Sequence, residues 1–110
     1  MTSVESGNIF AAIAERAADE QFTTLLATDN LRVERIVSHG HTTPEGTWYD
    51  QERAEWVLVV RGSAELLFEH EGAPRTLRAG DYVHIPPHLR HRVSATDARE
   101  PTVWLALHYR

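Results

Sequence analysis

Gly80-Asp81-Tyr82-Val83-His84-Ile85-Pro86-Pro87-His88-Leu89-Arg90-His91 is the stretch on which the reading of this chain turns. A Gly-Asp turn leads into a short strand. Two prolines then end it, because proline offers no amide donor to a sheet, and a histidine opens the next strand, His91 to Ala95. Its counterpart is Glu55-Trp56-Val57-Leu58-Val59-Val60-Arg61-Gly62, an unbroken apolar run opened by a carboxylate and closed by a turn glycine, which reads as a buried strand. In a small barrel these two stretches bring Glu55 and His91 together.

Working outward, Leu31 to Val37 alternates apolar and charged residues as a half-buried strand does, after a turn at Thr28-Asp29-Asn30. Phe22 to Leu26 reads as a short edge strand. Arg61-Gly62-Ser63 makes a tight turn, Ala64 to Glu69 alternates again, and Glu71-Gly72-Ala73-Pro74 turns the chain into Arg75 to Arg78. Pro101 to Tyr109 is a final strand after a polar turn at Thr96 to Glu100. Residues 42–54 read as a loop, or a loop around a short strand. The alanine-rich run 8–20 puts Ile9, Phe10, Ile13 and Ala17 on one side at helical spacing, so a short helix capped by Asn8 is expected there, packed on the outside of the domain. The result is one domain over residues 1–110, a helical segment 1–21 followed by an all-β sandwich or barrel over 22–110.

The charge of −5, with sixteen acids against eleven basic residues, argues against nucleic acid, whose binding surfaces are strongly positive. No cysteine is present, so disulfides and thiolate sites are excluded. No run approaches the ~18 apolar residues that span a bilayer. Met1-Thr2-Ser3-Val4-Glu5 lacks the basic start and apolar core of a signal peptide, so no membrane partner and a cytoplasmic protein are expected.

The two quoted stretches resemble the motifs of the cupin superfamily. The second cupin motif is a glycine, five residues, a proline, one residue, a glycine, two residues and a histidine; Gly80, Pro86 and His91 match it, with His88 standing where the family usually has glycine. The first motif ends in a glutamate, six residues and a glycine, as Glu55 and Gly62 do. Cupins usually place a His-x-His pair three or four residues before that glutamate, and here those slots hold Tyr49 and Gln51, or Trp48 and Asp50. The nearest His-x-His is His39-Gly40-His41, separated from Glu55 by thirteen residues. The chain also looks like a group of small bacterial single-domain cupins, which implies a cupin-type double-stranded β-helix, a jelly-roll barrel, and no particular reaction.

A divalent metal in such a barrel wants three or four N and O ligands converging from neighbouring strands. Glu55 and His91 are the first candidates. Gln51 offers a carbonyl oxygen, His41 completes the set if the loop folds back, and Asp50 replaces Gln51 in the other register of the loop. Each has a plainer reading: Glu55 paired with Arg53 or a loop amide, His91 satisfied by a backbone carbonyl. His39, His70, His84 and His88 read as surface or turn residues, and His108 as a packed strand residue with one nitrogen paired. Tyr49 suits a catalytic general acid or a substrate contact, unless it and Trp48 merely plug the barrel mouth. The expectation is a cupin holding a divalent ion (Zn, Fe, Mn or Ni) and a small-molecule ligand, acting as an isomerase, lyase or dioxygenase. The alternative is a non-catalytic small-molecule binding or sensing cupin. A homodimer is expected, with strand 101–109 and Phe22 to Leu26 as contact regions.

Overall fold

The computed structural model describes residues 3–110, which contain strands and no helix. In chain order the strands are β1 (Gln21–Ala27), β2 (Leu31–Ser38), β3 (Ala54–Arg61), β4 (Ser63–Phe68), β5 (Arg75–Arg78), β6 (Tyr82–Ile85), β7 (His91–Thr96) and β8 (Thr102–Tyr109). They form a five-stranded sheet in the order β1-β2-β8-β3-β6 and a three-stranded sheet in the order β5-β4-β7, with every recorded pair antiparallel. The sheets face each other as a jelly roll. Alternate residues of each strand point between them, so β2 sends Arg32, Glu34 and Ile36 inward, and β8 sends Trp104, Ala106 and His108.

One end of the interior is solid. Val57, Val59, Ala64, Leu66, Phe68, Leu77, Ile85, Trp104 and Ala106 pack there as the buried core. Gly62 makes the β3–β4 turn at φ +83°, a left-handed conformation that side chains disfavour. A Cβ there would lie 2.6 Å from Thr102 Oγ1 and 2.8 Å from Thr102 Cα. The glycine that closes the first motif is therefore required twice over, by the turn and by the neighbouring strand.

The expected N-terminal helix is not formed. Asn8 starts a turn, its Oδ1 accepting from the Phe10 amide at 2.8 Å and its carbonyl from the Ala11 amide at 3.0 Å. Ala12 then adopts φ 54° and a right-handed helix cannot continue. Helical propensity fails here because the body of the domain supplies better partners for the segment's carbonyls. Arg35 donates to the carbonyls of Ile9 and Ala11, His39 Nε2 to Ala14 at 2.7 Å, and His41 Nε2 to Ala18 at 2.8 Å. A helix this short is marginal in water, so three side-chain donors suffice to hold it as an irregular strap.

β8 lies between β2 and β3 and is paired along both sides, so it offers no free edge for another copy. β1 does.

Candidate functional site

The register of the large sheet assembles the site. Glu55 of β3 pairs with His108 of β8, which pairs in turn with Arg32 of β2, so these three side chains stand side by side on the inner face with Glu34 two residues along. From the opposite sheet His91, the first residue of β7, reaches across the sandwich until its Nε2 is 4.0 Å from Glu55 Oε1. His108 Nδ1 is 3.3 Å from Glu55 Oε2, and its Nε2 is 3.7 Å from Glu34 Oε1. The four side chains are nearly enclosed. They line a cavity of about 280 Å³ whose remaining wall is largely apolar, with Ile36, Val57, Leu66, Val93 and Trp104, and whose exposed rim carries Phe22, Arg32 and Tyr49. Trp104 is fixed by its indole N–H, which donates to Ser38 Oγ at 3.1 Å; that hydroxyl donates to Glu20 Oε2 at 2.6 Å.

Burial decides the charge state. Glu55 is raised from 4.5 to about 7, first because it has lost water, then because Glu34 is close, with Arg32 opposing. His91 is lowered by burial despite a hydrogen bond to the Leu89 carbonyl. His108 is lowered by burial and then by Arg32, with Glu34 opposing. The directions agree: desolvation outweighs mutual attraction, and near neutrality the centre holds two uncharged imidazoles around a carboxyl group poised between its forms. A carbonyl only accepts, so the 2.8 Å bond to Leu89 places the His91 proton on Nδ1 and leaves the Nε2 lone pair facing Glu55. His108 Nε2 is buried and has no hydrogen-bond partner.

Residues 34–108 match the family described as Cupin domain. The chain belongs to the cupin family. Its fold is close to that of a candidate mannose-6-phosphate isomerase from Ralstonia eutropha JMP134, at 50% identity over 96% of this chain and 98% of that one, with a TM-score of 0.95. A double-stranded β-helix cupin from Methanocaldococcus jannaschii shares the fold at 14% identity, covering 98% and 93% of the two chains, with a TM-score of 0.74. A DMSP lyase from Ruegeria pomeroyi does so at 23% identity, covering 83% of this cupin and 47% of the lyase, with a TM-score of 0.69. No curated protein matches the chain.

The cupin loop between β2 and β3 is laid along the free edge of β7. Thr43 exchanges hydrogen bonds with Val93, through its amide at 2.9 Å and its hydroxyl at 2.9 Å, and Tyr49 exchanges backbone bonds with His91 at 2.8 and 3.2 Å. This fixes the register that sequence leaves open: Tyr49 and Gln51 line the cavity, while Asp50 turns away to pair with His88 at 2.7 Å. The Tyr49 ring lies 5.6 Å from that of His91, between centroids. His88, in the glycine slot of the motif, adopts φ 61° and is held there by Asp50 and by its own amide, which donates to the Gln51 carbonyl at 2.7 Å. Arg53 does not pair with Glu55; it reaches the Asp29 carbonyl.

His41 does not join this set. Its Nδ1 accepts from the His39 amide at 2.8 Å and its Nε2 donates to Ala18, so both nitrogens are engaged in holding the N-terminal strap, and the side chain does not line the cavity. Sequence reasoning missed His108 and Glu34. Their signal was the inward alternation of β2 and β8, which meets Glu55 only once β8 is known to lie between β2 and β3. Nor do the donors fit a resident divalent ion. Among the described residues no group of three or more His, Cys, Asp or Glu side chains is placed to hold one. His108 turns one nitrogen to Glu55 and the other to Glu34, and Tyr49 and Gln51 occupy the slots where cupins usually carry imidazoles.

Proposed function

We propose that this cupin binds a small molecule in the cavity and moves a proton on it with Glu55, without recourse to a bound metal. The observation that carries this is a buried carboxyl group raised to about 7 and flanked by two neutral imidazoles. Such a group is half-ionised at working pH, so it takes a proton as readily as it returns one. The carboxylate form removes a proton from a carbon beside a carbonyl, and the electron pair of the broken C–H bond moves into an enediol or enolate. The protonated form then returns the proton to the neighbouring carbon, which is isomerisation; departure of a β-substituent instead makes the reaction a lyase step. In the isomerisation His91 Nε2 takes the proton of the adjacent substrate hydroxyl, whose oxygen becomes the new carbonyl, and passes it to the former carbonyl oxygen, to which Tyr49 at the rim donates a hydrogen bond. No redox partner is needed, which favours these classes over dioxygenation, and the name of the Ralstonia eutropha protein points the same way.

The test is deuterium exchange. α-Hydroxy and α-amino aldehydes are incubated in D2O with EDTA and followed by proton NMR. Glu55-dependent loss of a C–H signal, abolished in Glu55→Gln, is expected. Exchange that needs added metal, or that survives in Glu55→Gln, refutes the proposal; tight binding without exchange returns the cavity to a purely binding role.

The same reading pairs two copies through β1. This free edge leaves Phe22 59%, Leu25 44% and Leu26 48% exposed, an arrangement that a second copy would cover. Sedimentation of Leu26→Glu checks it: a dimer in wild type and a monomer in the variant are expected.

A further inference from the structure

The cavity has too many acceptors. Glu34, Glu55 and, at its edge, Glu20 present carboxylates, and His91 turns an Nε2 lone pair inward. His108, whose side chain is only 6% exposed, leaves Nε2 with no partner beside Glu34. Against these stands one permanent cation among the lining residues, Arg32, which sits at the exposed rim, and the chain contains no lysine. We infer that the ligand is a small organic cation, a primary ammonium on a compact apolar body, with its nitrogen seated among Glu34, Glu55 and His108 Nε2.

This deepens the reading of the cavity as a small-molecule site and rests on it. A phosphate or carboxylate brings further acceptors and negative charge to a place that already sets three carboxylates against one arginine. An ammonium brings three donors and no acceptor, gives the orphaned imidazole nitrogen a partner, and offers the Glu34 carboxylate a closer one than His108 at 3.7 Å. The apolar wall of Ile36, Val57, Leu66 and Trp104 takes the body of such a molecule. The ammonium also answers the repulsion between Glu34 and Glu55. Binding therefore drives the proton off Glu55, which is faced by His91 from β7, His108 from β8, and Glu34 and Arg32 from β2. A carbonyl compound carrying an ammonium would thus ionise the base that acts on it.

Three probes of one shape decide the matter: cyclohexylmethylamine, cyclohexylmethanol and cyclohexanecarboxylate, titrated calorimetrically into the whole protein in EDTA at pH 6 and pH 8. The amine is expected to bind about tenfold or more tightly than either of the others. Its affinity should rise from pH 6 to pH 8, with proton release seen by changing the buffer's heat of ionisation. Glu34→Gln, checked for folding by thermal unfolding, should weaken the amine about tenfold and leave the alcohol unchanged. Arg32→Gln, which removes the competing cation, should strengthen it. Binding of the alcohol or carboxylate as tightly as the amine overturns the cationic ligand and leaves the small-molecule site standing. Failure of all three to bind overturns both. Indifference of the amine to Glu34→Gln, or weakening by Arg32→Gln, also overturns the assignment.

Discussion

Replacing Glu55 by glutamine stabilises the folded protein at pH 8 and has little effect at pH 5. The carboxyl group has an ordinary value of 4.5 and a folded value of about 7, and its side chain is 13% exposed, so solvent screens it little. At about 1.4 kcal/mol per pH unit, ionised Glu55 costs the native state about 3 kcal/mol. The sign follows from proton counting: between 4.5 and 7 the folded protein keeps a proton that the unfolded chain has lost, so stability falls as pH rises through that window and the loss is complete above it. Glutamine has the same shape, carries no charge at any pH, and escapes the penalty. For a domain of this size the gain at pH 8 corresponds to a rise in Tm on the order of 10 °C, shrinking to a small fraction of that at pH 5. Urea unfolding of both proteins at the two pH values measures it. A variant equally or less stable than wild type at pH 8, or a gain that does not depend on pH, refutes the reasoning; so would a gain accompanied by retained proton-transfer activity.

Other consequences concern the scaffold. His88→Ala keeps the unfavourable φ of 61° and loses the exposed Asp50 contact, so a destabilisation of up to about 1 kcal/mol is expected in urea unfolding, whereas His88→Gly should be neutral or slightly stabilising because glycine relieves the backbone as that contact is lost. Gly62→Ala should cost about 3 kcal/mol or more, since its Cβ would collide with Thr102 side chain and backbone alike. His41→Ala should speed tryptic cleavage after Arg16, because His41 fastens the strap through the Ala18 carbonyl.

The features of the chain that were legible in its sequence are those carried by short-range pattern. Period-two alternation marked β2 and β4, turn residues marked the strand ends, and the spacing of Gly80, Pro86 and His91 put His91 at the start of a strand facing Glu55. The failures share one cause. The run 8–20 has helical spacing, but hydrogen bonds from Arg35, His39 and His41, up to 26 residues away, override it. The same bonds withdraw His41 from the cavity. His108 looked like a packed strand residue because only the long-range order β2-β8-β3 sets it between Arg32 and Glu55. The choice between Asp50 and Gln51 turned on a backbone bridge from Tyr49 to His91, which no local periodicity encodes.

The account stands on the proton affinity of one buried carboxyl group. Titration of the Glu55 side-chain carbon by NMR, on carbon-13-labelled protein in EDTA, reads it directly. A midpoint near 7 is expected, moving down in Glu34→Gln as the neighbouring charge is removed. A midpoint near the ordinary 4.5 would contradict it.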